Sequence, residues 1–199
     1  MRWFTRHWLA LTVHVAGGLP LLWLLFYYST AGESYLFGRT VMLRTGLLGL
    51  LFLVAALACT PVSWLLRWPR LVQARRALGL YGFLYIVLHL FTYATLDSQF
   101  DWALIWRDLS ERRAMSVGLL AFVLLIPLAL TSTRGWQRRL GRQWRALHRL
   151  VYVATPLSVL HFLWLDRDFI TTPLVYAGIV GLLLVLRLPG IRHTLLRIK

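Results

Sequence analysis

Six apolar blocks, each about 20 residues long, take up most of this 199-residue chain. They run at roughly 8–28, 41–60, 77–96, 114–132, 147–165 and 172–188. Twenty helical residues at about 1.5 Å each match a hydrocarbon core about 30 Å thick. A soluble domain of this length carries nearer half apolar residues. Here 59% are hydrophobic and the mean hydropathy is +0.65. The pattern predicts an all-α membrane protein, a six-transmembrane-helix bundle forming a single transmembrane domain over 1–199. The connections are short and leave no room for a soluble catalytic domain.

The net charge of +15 does not point to nucleic acid. The charges sit in loops beside the spans, where Lys and Arg set topology and meet anionic membrane lipid. With six spans, 16 of the 22 Lys and Arg fall on the side of the termini. They include Arg67, Arg70, Arg75 and Arg76 in one loop, and Arg134, Arg138, Arg139, Arg142, Arg145 and Arg149 in another. This bias predicts cytoplasmic termini and a multi-pass protein of a bacterial inner membrane. All seven acids, Glu33, Asp97, Asp101, Asp108, Glu111, Asp166 and Asp168, fall on the far side. Nine of ten tryptophans lie near span ends, as an interfacial belt requires. The first apolar run, about 21 residues, exceeds a signal-peptide core. It therefore reads as a retained span, although Ser29-Thr30-Ala31 resembles a cleavage site. Pro20, Pro127 and Pro156 are expected to bend their helices. Gly46 with Gly49, and Gly178 with Gly181, are expected to let helices approach. The single cysteine, Cys59, excludes an internal disulfide and a Cys-ligated iron–sulfur cluster, and reads as packing.

Of six histidines, His14, His89, His148 and His161 lie within spans or at a span edge. Strongly polar side chains inside a bundle are costly unless paired, and default to functional hypotheses. Spans three and five run parallel. His89 is about seven residues from the outer end of its span and His161 about four, so both lie in the outer half. Two histidines at one level on neighbouring helices can clamp a haem iron, and neutral imidazole is a standard haem ligand. The competing reading is a hydrogen bond from each to a backbone carbonyl or a serine. His148 lies about 20 Å of helix nearer the cytoplasm than His161. It is a candidate ligand for a second, inner haem, a flavin- or phosphate-binding group, or a helix cap. His14, beside Gly17 and Gly18, is a candidate inner ligand or an interhelical hydrogen-bond partner. No internal repeat is apparent and no Asp or Glu lies deep in a span, which argues against a small transporter without cofactor.

Three strings carry a family resemblance. They are Arg75-Arg76-x-Leu78-Gly79-Leu80 followed by Leu88-His89-Leu90 and Tyr93; Leu130-x-Ser132-Thr133 with the stretch from Leu140-Gly141 through Trp144, Leu147-His148 and Tyr152 to His161-Phe162-Leu163-Trp164; and His14-x-Ala16-Gly17-x-x-Pro20-x-x-Trp23. Over nearly its whole length the chain resembles the MsrQ (YedZ) family, within the wider ferric-reductase and NADPH-oxidase transmembrane group. Members are haem-binding membrane subunits of bacterial periplasmic protein-methionine-sulfoxide reductase systems.

The resemblance implies a b-type cytochrome in which His89, His148 and His161 match the family's haem histidines, with FMN also associated. It implies electrons arriving from quinone or a cytoplasmic flavin reductase. They leave to a periplasmic molybdopterin reductase (MsrP-like) that repairs oxidised proteins. NADPH oxidases carry two histidines on each of two helices, whereas here Arg75 and Arg76 occupy the inner level of span three. About eleven residues follow span six, too few for the oxidases' cytoplasmic FAD and NADPH domain. Arg75 and Arg76 are candidate contacts for a flavin phosphate or an acidic donor, or else topology determinants. The outer loops 29–40, 97–113 and 166–171 are the candidate docking surface. No catalytic residue is expected, since the chemistry belongs to the cofactors. Within redox, the other readings are a cytochrome b anchor of another periplasmic oxidoreductase or a ferric reductase.

Overall fold

Hydrocarbon offers no water to backbone N–H and C=O groups, so apolar blocks of this length satisfy them internally as helices. The computed structural model describes residues 2–31, 35–165 and 170–191, and these are helices joined by short turns, with no strand among them. Glu33, Asp166, Arg167 and Asp168 of the expected outer loops lie outside the described residues, as do Arg192, His193, Arg197 and Lys199.

Five helical stretches are long and apolar enough to cross a membrane: Trp8–Tyr27, Phe37–Leu65, Pro69–Asp97, Arg113–Leu130 and Arg142–Leu165. A sixth apolar helix, Thr171–Val185, is shorter. Large apolar side chains stay exposed along the first stretch, with Leu22, Leu25 and Phe26 each more than 60% exposed. A surface of that kind is stable against lipid rather than water. The chain is a multi-pass membrane protein.

Two compact units divide it, Met1–Asp101 and Trp102–Lys199. In the first, α1 (Arg2–Ala31) is followed by α2 (Tyr35–Leu65), a 3₁₀ turn (Pro69–Gln73) and α3 (Ala74–Thr92), whose end widens into a π turn at Tyr93–Asp97. The helix α1 runs on through Ser29-Thr30-Ala31 and across Pro20. The main packing is α2 on α3. Leu53 and Leu57 are buried, and the ring of Phe52 stacks on fully buried Tyr85 at 5.4 Å. The Tyr85 hydroxyl donates to the Gly17 carbonyl at 2.7 Å, tying α3 to α1. Cys59 is buried with Val13 and Ala74, which is the packing role expected of it. Just before the unit ends at Asp101, Gln99 and Phe100, two non-glycine residues with positive φ of 49° and 58°, turn the chain.

The second unit opens with α4 (Trp102–Glu111), which lies wholly within a stretch expected to be loop. Trp102 and Trp106, one turn apart, are 74% and 75% exposed, and buried Asp108 pairs with Arg112 at 3.2 Å. Then come α5 (Arg113–Leu130), α6 (Arg134–Leu140), α7 (Arg142–Leu147), a 3₁₀ turn (His148–Leu150), α8 (Val151–Leu165) and α9 (Thr171–Val185). The main packing is α5 on α8, with α9 on α8. Pro127 and Pro156 lie inside α5 and α8 without ending them. At the end of α9 the Arg187 guanidinium donates to the Tyr152 hydroxyl at 2.6 Å. Gly178 and Gly181 have open space beside them, so the helix approach expected there is absent among the described residues.

Candidate functional site

In the first unit, α3 carries His89 against α2. Its Nδ1 donates to the Met42 carbonyl at 2.8 Å. In a helix that carbonyl already accepts from the N–H of residue 46, but a carbonyl oxygen has two lone pairs and can take a second donor. A Cβ at residue 46 would lie over the same carbonyl, because helical side chains tilt towards the preceding turn. Glycine removes the obstruction: a Cβ on Gly46 would sit 3.0 Å from His89 Nδ1 and 3.1 Å from Cε1.

The second unit repeats the device. On α8, His161 donates from Nδ1 to the Ala114 carbonyl of α5 at 2.6 Å. A Cβ on Gly118, one turn further along α5, would lie 2.5 Å from Nδ1 and 2.8 Å from Cε1. Both hydrogen bonds join residues 47 apart. Met42, Gly46 and His89 thus recur as Ala114, Gly118 and His161 at one constant offset. Around them Gly46-Leu47-Leu48 recurs as Gly118-Leu119-Leu120, Val87-Leu88-His89 as Val159-Leu160-His161, and Trp64 as Trp136. The chain therefore contains an internal repeat of a helix pair, although none was apparent from sequence patterning.

The chemical consequence is the same in both units. A carbonyl only accepts, so Nδ1 carries the proton. In a neutral imidazole, Nε2 then holds the lone pair. Fixing a histidine's tautomer and ring plane through its other nitrogen is how metal-binding imidazoles are oriented. The backbone-carbonyl hydrogen bond, set out above as the competing reading, is real at both histidines. A backbone carbonyl is also one of the partners that orient a metal-ligating histidine.

His148 lies in the 3₁₀ turn that joins α7 to α8, within the helical stretch Arg142–Leu165. Its Nδ1 is 3.1 Å from the Trp144 carbonyl and its ring stacks on Trp144 at 4.0 Å. The Trp144 indole in turn donates to the Thr131 carbonyl at 2.9 Å, fixing the stack to the end of α5. In the repeat, Arg76 stands where the second copy has His148. Arg75, half-buried, and Arg76, exposed, lie in the first turn of α3. His14 is the interhelical partner allowed for it: its Nδ1 is 3.0 Å from the Tyr81 hydroxyl of α3. No cluster of three or more His, Cys, Asp or Glu residues occurs among the described residues.

Residues 40–159 match the family described as ferric reductase like transmembrane component. The chain is 46% identical over 187 residues to a Rhodospirillum rubrum protein named protein-methionine-sulfoxide reductase heme-binding subunit MsrQ, covering 92% of this chain and 89% of that one. It is 42% identical over 177 residues to the protein of the same name from Caulobacter vibrioides, covering 88% and 84%. No solved structure matches.

Proposed function

Because the chain belongs to the MsrQ family of ferric-reductase-like transmembrane proteins, we propose that it is the haem b-binding membrane subunit of a protein-methionine-sulfoxide reductase system. The observation that carries this reading is the twice-built histidine, with Nδ1 committed to a backbone carbonyl and a glycine clearing the ring's path. His89 and His161 each offer Nε2 as an axial ligand to haem iron, and haem supplies one-electron redox chemistry when bound. His148 is a further candidate ligand. Its ring is already oriented by Trp144.

The chain then acts as one six-span domain of a bacterial inner membrane with both termini cytoplasmic. Its sixth span is the helix Thr171–Val185. It takes electrons from quinone or a cytoplasmic flavin reductase and passes them to a periplasmic molybdopterin reductase. FMN is held through its phosphate by Arg75 and Arg76. Burial and orientation are the protein's contribution, and no side chain does acid–base or nucleophilic work. Internal repeats are also frequent in transporters. What repeats here, however, is an oriented histidine rather than an acid pair, and that favours the redox reading.

The test is replacement of each ligand. His89→Ala and His161→Ala protein should reach the membrane in wild-type amount and yield little extractable haem. Normal haem spectra in both variants would overturn the assignment.

A further inference from the structure

The ten residues of α4 make a helix about 15 Å long, half of what a crossing of the hydrocarbon core needs. It carries Arg107, Asp108 and Glu111, charges too costly for the membrane interior. Its level is set by the span that follows. The 18 residues of α5, about 27 Å, take up nearly the whole core, so Arg113 stands at the membrane boundary. Only Arg112 separates the two helices, and its extended backbone, φ −101° and ψ 100°, turns α4 off the axis of α5.

Three bonds fix this corner. The Arg112 N–H donates to the Asp108 carbonyl at 3.0 Å, and the Arg112 guanidinium pairs with the Asp108 carboxylate at 3.2 Å. The Ser116 hydroxyl donates to the Leu109 carbonyl at 2.6 Å. Ser116 shares a face of α5 with Leu119, Leu120 and Val123, all exposed, which is the face a span turns to lipid. The helix α4 is therefore tied over the lipid-facing side of α5.

At about 100° per residue, the side chains of α4 divide three ways around its axis. Leu104 and Ile105, half-buried, and Asp108, buried, form the packed third. Trp102 and Trp106, three-quarters exposed, form the second. Arg107, Ser110 and Glu111, all exposed, form the last. Packed, aromatic and polar thirds match a helix surrounded by bundle, lipid and water. Tryptophan suits such a boundary, because its ring buries apolar area while the indole N–H keeps a wet partner. Left in water, the two rings would be an exposed apolar patch continuous with the lipid-facing side of α5.

We propose that α4 lies in the membrane–water interface, with Trp102 and Trp106 seated among the lipid headgroups and Arg107, Ser110 and Glu111 turned to water. The helix then anchors the corner at Arg112, two residues before Ala114, whose carbonyl orients His161. It also leaves only its polar third within reach of a water-borne partner protein. The placement requires a chain that spans a membrane and holds whatever cofactor the bundle carries.

The experiment places an environment-sensitive fluorophore on the full chain in nanodiscs of phosphatidylethanolamine and phosphatidylglycerol. Cys59→Ala removes the native thiol, and Trp102→Cys, Trp106→Cys or Arg107→Cys supplies a single labelling position; all three replace exposed side chains. A phospholipid with a nitroxide just below its headgroup should quench the labels at 102 and 106 several-fold more than the label at 107. Aqueous iodide should show the reverse order. Iodide access at 102 and 106 equal to that at 107 overturns the proposal and leaves the tryptophans facing water. Protection of 102 and 106 from both quenchers, as a second copy of the chain would give, also overturns it. Equal lipid quenching at all three positions overturns the division between lipid and water.

Discussion

Replacing Gly118 by alanine tests the histidine device directly. The added Cβ would lie 2.5 Å from His161 Nδ1, 2.8 Å from Cε1 and 3.0 Å from Cγ, while ordinary contact begins at 3.4 Å. The ring must retreat by about 0.9 Å, an overpacking that costs about 1–3 kcal/mol. The 2.6 Å hydrogen bond to the Ala114 carbonyl then stretches to about 3.5 Å, the limit of a useful bond. Loss of the partner that orients a metal-binding histidine lowers metal affinity about 10–100-fold. Gly46→Ala is the milder case. Its Cβ would sit 3.0 Å from His89 Nδ1, so a few tenths of an ångström suffice and the effect should stay under about tenfold. Gly178→Ala meets nothing within 4 Å and should leave haem untouched. The assay is haem titration of the apo-protein in detergent, with membrane yield measured alongside. An affinity order other than wild type and Gly178→Ala, then Gly46→Ala, then Gly118→Ala would refute the reasoning.

Tyr85→Phe keeps the stack on Phe52 but deletes the 2.7 Å bond to the Gly17 carbonyl. Thermal unfolding in detergent should show a loss of about 1 kcal/mol, and an unchanged midpoint would deny that this bond holds α1. Joint replacement of Arg75 and Arg76 by glutamine should reduce the FMN that co-purifies. Undiminished flavin would leave those arginines as topology determinants alone. Reporter fusions should place the C-terminus in the cytoplasm and the 97–113 segment in the periplasm, and the opposite pattern would break the six-span arrangement.

The helices were legible because length and apolarity are summed over about 20 residues and survive local exceptions. Their ends were less so: α2 spans Tyr35–Leu65 where the apolar block spans 41–60, since helical hydrogen bonding runs on past Arg39 and Thr40 at one end and Pro61 at the other. The ten-residue α4, rich in charge, is too short to announce itself beside membrane spans. His89 and His161 stood out because a histidine deep in a span demands an explanation. Their supports did not. The carbonyls of Met42 and Ala114 have no side-chain signature. Gly46 and Gly49 read in sequence as a site of helix approach, and Gly49 does meet the α3 backbone at Ile86 and Gly82, but that Gly46 makes space for a histidine ring was not legible. The repeat was hidden because few identities stand out against a background of leucine. The shared Gly-to-His spacing and the Val-Leu-His strings were the available signal.

The central claim is that these oriented histidines hold haem. The most direct measurement is a dithionite-reduced minus oxidised visible spectrum of the purified chain, made under haem-replete conditions, with haem extracted and quantified. The account predicts a sharp b-type α band in the wild-type protein that is lost in His89→Ala and in His161→Ala. A wild-type protein that inserts, folds and contains no haem would contradict it.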